Sequence, residues 1–117
     1  MGYIRHRFAY GVLSDFDEKK LEPALSELKK RMGKEPFFDA DIILGPFKGT
    51  NGYLNYCFAA DGSKVGWTTS EIAEKYRHEF MDIIKNAGGS VIEAQLGGDD
   101  GETLILSTTD SICEVKP

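Results

Sequence analysis

A run of aromatic residues and glycines, from Asn51 to Trp67, separates two helix-like segments near the middle of the chain. Tyr53 to Ala60 is rich in aromatic side chains and ends at Asp61-Gly62, a dipeptide that tolerates the positive backbone angles of a tight turn. We therefore predict a β-hairpin whose return strand, Ser63 to Trp67, leads into a helix. Trp67 is expected to fill the core rather than to form a ligand platform.

Two segments have the 3.6-residue spacing of amphipathic helices. The first follows the acceptor residues Ser14, Asp15 and Asp17, ends near Gly33, and has its apolar positions at Leu21, Ala24, Leu25, Leu28 and Met32. The second begins with a predicted capping box, Thr68 and Glu71, and has its apolar positions at Ile72, Tyr76, Phe80, Ile83 and Ile84. Each helix therefore has one face to bury against a sheet.

Four further segments alternate as strands do: Tyr3 to Leu13, Phe37 to Leu44, Ser90 to Leu96, and Thr103 to Ser107. The first places Ile4, Phe8, Tyr10 and Val12 on one face and a small basic stripe with Tyr3, Arg5, Arg7 and Ala9 on the other. The order of elements predicts an α+β fold, a ferredoxin-like βαββαβ sandwich. Its antiparallel sheet carries two helices on one face and an extra C-terminal strand.

The chain has 117 residues, which suits a single α+β domain, and a net charge of -5, which repels nucleic acid. Cys57 and Cys113 are far apart, and neither has a partner at metal-ligand spacing, so we expect reduced thiols and no cofactor. The sequence has neither an apolar run of membrane-spanning length nor a signal-peptide core. We therefore expect a cytoplasmic protein that does not interact with a membrane.

Three groups of residues have the composition of chemical sites, and each also has an ordinary structural interpretation. Glu74 and His78 are spaced like a metal-binding pair, but nothing near them completes a ligand set. Cys57 with His6 has the chemistry of a nucleophile and base, although a cysteine in the middle of a strand is usually inert core. Asp99 and Asp100 suit either a divalent cation or an acidic turn. We expect the structural role at each place, and hence a protein that is not an enzyme.

Binding is better supported, because aromatic rings and cationic side chains together suit stacking on a base while pairing its phosphates. The predicted ligand-binding residues are Arg5, Arg7, Tyr53, Tyr56, Lys64, Trp67 and Arg77, with Tyr3 beside them. Both faces of the central strand carry aromatics, so the sheet face away from the helices should be covered. A second subunit is the expected cover, which predicts a homo-oligomer.

The segments Asn51-Gly52-Tyr53, DGSK at Asp61 to Lys64, Gly66-Trp67 and QLGGDDGE at Gln95 to Glu102 resemble a group of small bacteriophage-encoded proteins of unassigned function. The resemblance extends weakly along the chain from Arg5-His6 onward. It departs at Thr68-Thr69, where the group tends to have acidic residues.

The resemblance implies an accessory factor in the cytoplasm of an infected bacterium. Our leading hypothesis is a non-enzymatic anti-defence protein, a sponge that sequesters a nucleotide-type immune signal in a subunit-interface pocket. One alternative is a protein-protein inhibitor of a host defence or nucleic-acid enzyme. The other is a small enzyme that uses His6, Cys57 or Asp99.

Overall fold

The computed structural model describes residues 4, 6–36, 40–63, 66–97 and 103–109. Its helices and strands are β1 (His6–Ser14), α1 (Glu18–Met32), β2 (Ile43–Lys48), β3 (Tyr53–Phe58), α2 (Thr68–Asn86), β4 (Ser90–Leu96) and β5 (Leu104–Thr108). The strands form one antiparallel sheet in the order β2-β3-β1-β4-β5. The predicted α+β, ferredoxin-like fold is confirmed. Because β5 extends the sheet beyond β4, the strand order is not strictly that of the four-stranded ferredoxin-like sheet.

The two helices bury their apolar faces in a core shared with β1, β3 and β4. The largest fully buried side chains are Leu21, Leu28, Met32, Tyr56, Phe58, Phe80 and Ile84. In α1 the predicted apolar positions are buried except Ala24, which is exposed because it lies at the margin of the apolar stripe. No helix among the described residues is both long and apolar enough to cross a membrane.

The start of α2 differs from the prediction. Trp67 occupies the N-cap position, so Thr68 is the first helical residue and the predicted capping box does not form. The backbone carbonyl of Trp67 accepts hydrogen bonds from the N–H groups of Ser70 and Glu71. The Trp67 side chain is 52% exposed, so the expectation that it fills the core is wrong. A residue at the helix entrance, outside the layer between helix and sheet, has no core to fill.

The hairpin predicted at Asp61-Gly62 does not form within the described residues. Both edges of β3 are already hydrogen-bonded, one to β1 and the other to β2, so a return strand from Ser63 has no edge to join. Gly62 does have a positive φ of 71°, as the turn chemistry predicted. Lys64 and Val65 lie outside the described residues.

The hairpin of this region joins β2 to β3 through a turn at 49–52, closed by a hydrogen bond from the N–H of Gly49 to the carbonyl of Tyr53. The predicted second strand was to end at Leu44, but β2 continues through Gly45-Pro46 to Lys48 with a bulge between Leu44 and Phe47. An edge strand can hold a proline because one row of its N–H groups has no partner strand. Residues 37–39, predicted to begin this strand, lie outside the described residues.

The face of β1 that packs against the helices is the one with the smaller side chains. Ala9, Gly11 and Leu13 point toward the helices and are buried, whereas Phe8, Tyr10 and Val12 point the other way. A Cβ built on Gly11 would collide with the Cδ1 atom of Ile84 on α2. The small residues therefore face inward because α2 packs directly against the middle of this strand.

Candidate binding surface

The sheet has one face that the helices leave uncovered, which we call the open sheet face. Its middle row crosses all five strands through residues in register, from β2 to β5: Leu44, Cys57, Tyr10, Ile92 and Thr108. The flanking rows add Phe47, Asn55 and Val12 on one side, and Phe8, Ala94 and Ile105 on the other. Tyr53 and Leu96 extend the face at its ends. Because side chains alternate along a strand, all of these lie opposite the buried residues.

The open sheet face is apolar, and about half of its residues are exposed while the rest are half-buried. Tyr10, Leu44, Phe47, Tyr53, Leu96 and Ile105 are all among the exposed large hydrophobic residues of the protein. Among the described residues that we place on this face there is no Asp, Glu, Lys or Arg. Contiguous apolar surface of this kind marks a binding site more often than isolated exposed hydrophobic residues do.

Tyr10 lies near the centre of this face, in the middle strand of the five. Its hydroxyl donates a hydrogen bond to Oδ1 of Asn55 at 2.7 Å, and the Asn55 amide donates to the carbonyl oxygen of Phe47 at 3.1 Å. These two bonds fix the phenol ring across β1, β3 and β2. A ring held in this way presents a rigid aromatic surface.

A cleft of about 250 Å³ opens beside Tyr10 on this face, between β1, β4 and β5. Its lining is aromatic, aliphatic and hydroxyl-bearing: Tyr10, Val12, Ser90, Val91, Ile92, Thr108 and Thr109. None of these side chains is charged at neutral pH. The cleft therefore suits an uncharged ring or a small apolar group with a few hydrogen-bonding atoms.

Two of the predicted ligand-binding arginines, Arg7 and Arg77, lie on the opposite side of the sheet. Arg7 on β1 donates from Nε to Oε1 of Gln95 at 2.8 Å and from Nη1 to Oε1 of Glu74 at 3.2 Å. Arg77 on α2 lies 3.6 Å from the same Glu74 oxygen and donates from Nε to Oε2 of Glu93 at 2.7 Å. The structure thus brings Arg7 and Arg77 together around Glu74, but pairs both with carboxylates on the helix side of the sheet.

The ion pair between Arg77 and Glu93 is buried, with side-chain exposures of 3% and 6%. Burial alone raises the pKa of Glu93, but the hydrogen bond and charge of Arg77, with a contribution from His78, outweigh it and hold the pKa below its usual range. His78 lies over the same carboxylate with Nε2 at 3.1 Å from Oε2, and the Ser107 hydroxyl donates to Oε1 at 3.4 Å. Glu93 is therefore an ionised structural carboxylate.

A second cleft, of about 400 Å³, lies beside this pair between α2 and the end of the sheet. It is lined by His78, Met81, Asp82, Lys85, Glu93 and Ser107. The charged groups around it are largely satisfied within the protein, since Glu93 contacts Arg77 and His78, and Lys85 lies 3.4 Å from Asp82. The alternation of Val91, Glu93 and Gln95 opposite Ile92 was predicted. The helix partner of Glu93 was not, because sequence spacing does not show which helix residue lies over which strand residue.

The remaining predicted ligand-binding residues are dispersed. Tyr56 is 1% exposed and packs in the core, so it presents no ring face to a ligand. Tyr53 is exposed on the open sheet face, and Trp67 is exposed at the start of α2. Arg5 and Lys64, like Tyr3, lie outside the described residues. Tyr10, the aromatic residue best placed on the open sheet face, was not among the predicted ligand-binding residues, because alternation along the strand does not show which of its faces the helices cover.

The residues with catalytic chemistry do not assemble in the described part of the chain. Cys57 is in register with Tyr10, whereas His6 is four residues further along β1, or about 13 Å away. Burial raises the pKa of the Cys57 thiol, which disfavours the reactive thiolate. Glu74 and His78 contact Arg7 and Glu93 respectively, and no cluster of three metal-ligand residues occurs among the described residues. Asp99 and Asp100 lie outside them.

The hydroxyl of Tyr56 is buried and makes no hydrogen bond to any residue that the structure describes. Burial, with the nearby charges of Glu18 and Glu22, raises its pKa to about 12. We expect Tyr56→Phe to stabilise the protein by about 1 kcal/mol, because it removes an unsatisfied buried hydroxyl. Urea denaturation measures this change.

Tyr76 provides the matched control for that substitution. It is also buried, but its hydroxyl donates to Oε2 of Glu35 at 2.7 Å, so Tyr76→Phe should instead destabilise the protein by about 1–2 kcal/mol. Equal losses in the two variants would show that the Tyr56 hydroxyl has a partner after all, such as a buried water.

Comparisons with protein-family models, with curated proteins and with solved structures find no match to this chain.

Proposed function

We propose that this protein is a non-enzymatic binding protein that acts through the open sheet face. The observation that carries the proposal is the exposed, uncharged and aromatic surface around Tyr10, with the cleft of about 250 Å³ beside it. The aromatic and hydroxyl lining can hold a flat ring by stacking and hydrogen bonding. Among the described residues that we place on this face there is no carboxylate, lysine or arginine.

More specifically, we propose that the protein is a sponge, which sequesters a nucleotide-type immune signal. The resemblance to phage proteins suggests this role. The base would stack on the open sheet face. Its phosphates would need cations other than Arg7 and Arg77, whose guanidinium groups are paired with Glu74 and Glu93. Lys64 is the predicted cation left for that part of the ligand, because the predicted alternation of the first strand assigns Arg5 to the same face as Arg7 and Ala9.

The cleft of one copy is smaller than the roughly 300–1,000 Å³ typical of pockets that enclose a drug-sized ligand. It would hold a base but not a whole cyclic dinucleotide. A pocket shared between two subunits, as the sponge hypothesis requires, would supply the missing wall.

Thermal shift measurements with cyclic di- and trinucleotides and with ADP-ribose test the nucleotide proposal. A ligand at about 100 times its Kd stabilises the folded state by about 2.7 kcal/mol, which should raise Tm by roughly 10 °C. We expect Lys64→Ala to reduce that shift. Lys20→Ala, which removes an exposed lysine paired with Asp17 on α1, should leave it unchanged. Flat melting curves with every nucleotide would refute the nucleotide form.

A second candidate function is a protein-protein inhibitor, favoured by the absence of charge among the described residues of the open sheet face. Apolar surface with a central tyrosine is typical of the buried core of a protein interface. Inhibition of an identified host enzyme in a purified reaction, abolished by Tyr10→Glu and retained by Phe16→Glu, would support this function. Phe16 is a suitable control because its side chain is 91% exposed and lies outside the sheet.

A further inference from the structure

The open sheet face carries exposed apolar side chains that a binding partner would bury. We propose that a second copy of this chain covers it, with the two sheets packed face to face around a two-fold axis. The inference concerns the same surface as the proposed function, and deepens it by naming what completes the cleft. Three properties of the face support it: its area, its charge and its geometry.

The area of the face reaches the lower limit for a specific contact. Five strands spaced about 4.8 Å apart, with about seven residues each at about 3.3 Å, give a surface of about 500 Å² on one copy. Two such faces in contact bury about 1,000 Å², the area at which biological interfaces begin. Stacked sheets are a common way to bury apolar faces, at a separation of about 10 Å.

The charge distribution favours a copy of the same chain over a charged partner. Each chain has a net charge of -5, so two copies repel one another, and the repulsion is weakest when the surfaces that meet carry no charge themselves. The described part of the open sheet face contains none of that charge, so the acidic groups among the described residues lie outside the contact. A basic or acidic partner surface would find no complementary charge on this face, whereas an identical neutral face matches it by symmetry.

The middle of the face has the character of an interface centre. Tyr10 lies in the central strand, and its hydrogen bond to Asn55 holds the ring in place before any contact forms. Tyrosines fixed near the centre of an interface contribute a large share of the binding free energy. Leu44 and Ile105 lie on the two edge strands and would bound the contact on either side.

Dimerisation would also enlarge the cleft. Tyr10 lines the cleft and lies in the middle strand, so the clefts of two copies come close to the axis. Two clefts of about 250 Å³ each would together reach the size range of pockets for small organic ligands. The subunit-interface pocket required by the proposed function would then be formed by this contact.

Sedimentation velocity with a dilution series of the full chain tests the inference. We expect a species of twice the chain mass of 13.0 kDa. Tyr10→Glu should weaken the dimer about 30-fold or more, because it places an unpaired charge at the centre of the contact. Phe16→Glu adds the same charge outside the sheet and should leave the dimer intact. Ile105→Lys, on edge strand β5, is a second disrupting variant in case Tyr10→Glu fails to fold.

Three results would overturn the inference. The first is a monomer at all concentrations, and the second is an unchanged dimer in folded Tyr10→Glu and Ile105→Lys variants. The third is a monomer that dimerises only after deletion of residues 110–117, which would assign the face to the chain's own C-terminus. A dimer that binds none of the nucleotides would refute the nucleotide proposal and leave this inference standing. Nucleotide binding by a protein that stays monomeric would support nucleotide binding and overturn this inference.

Discussion

Arg77→Leu is expected to destabilise the protein by about 3–5 kcal/mol, or about 10–20 °C in Tm. The substitution removes the guanidinium that hydrogen-bonds the buried carboxylate of Glu93 at 2.7 Å. Among the described residues, the carboxylate would keep its contacts with His78 and the longer one with Ser107. An ionised group left without its main partner in the protein interior carries the full cost of its lost hydration.

Two controls separate this effect from a general effect of replacing arginine. Arg31→Leu removes an arginine that pairs with Glu27 and Glu79 on the surface, and it should have a much smaller effect. The double variant Arg77→Leu/Glu93→Leu should recover much of the stability, since apolar residues of similar volume often replace a buried ion pair without loss. A single variant as stable as the parent protein would contradict the assigned pair.

The same pair predicts how stability depends on pH. The pKa of Glu93 in the folded protein lies below its value in the unfolded chain, so the unfolded state binds the proton more readily. The stabilisation is therefore fully present at neutral pH. It is lost as the pH falls through the usual glutamate range, below about pH 5, toward the folded-state pKa. Urea denaturation across this range should show a steeper loss in the parent protein than in the double variant.

Phe80→Ala is expected to destabilise the protein by about 3–5 kcal/mol, the range typical of truncating a buried phenylalanine. Phe80 is fully buried in α2, and its ring centroid lies 5.8 Å from that of Phe58 on β3 at an interplanar angle of 55°. Truncation would leave a cavity between the helix and the sheet. Phe16→Ala is the matched control, because its ring is almost fully exposed and its loss should change the free energy of unfolding by less than about 0.5 kcal/mol.

Urea denaturation of both phenylalanine variants provides the comparison. Equal, small losses of unfolding free energy in the two variants would show that α2 does not pack on the sheet at Phe80. The assignment of one sheet face to the core would then be wrong as well. Unequal losses in the expected order would support the assignment that places Tyr10 and Ile92 on the open side.

The order of elements and the fold class could be predicted from the sequence because helix and strand periodicity are local properties. The buried positions of α1 and the alternation of β4 follow directly from spacing. The partners of β3 could not be predicted in this way: Asp61-Gly62 has the chemistry of a hairpin turn, but both edges of the strand are taken by β1 and β2. Pairing between distant strands leaves no local signal in the sequence.

The candidate site was predicted less well than the fold, for a physical reason. Phe8, Tyr10 and Val12 are more apolar than Ala9 and Gly11, so hydrophobicity alone assigns the wrong face of β1 to the core. The deciding factor is steric, since Ile84 of α2 needs the space that Gly11 leaves. Likewise Arg7 and Arg77 are cationic residues by sequence, and only the three-dimensional arrangement shows that Glu74 and Glu93 neutralise them.

The irregularities in the outer strands limit how this protein can assemble. β2 is interrupted by a bulge beside Pro46, and the pairing of β5 with β4 shifts register between Glu93 and Ala94. Interrupted outer strands are poor templates for adding further strands edge to edge. Growth into long fibrils by edge-to-edge addition of strands is thereby disfavoured.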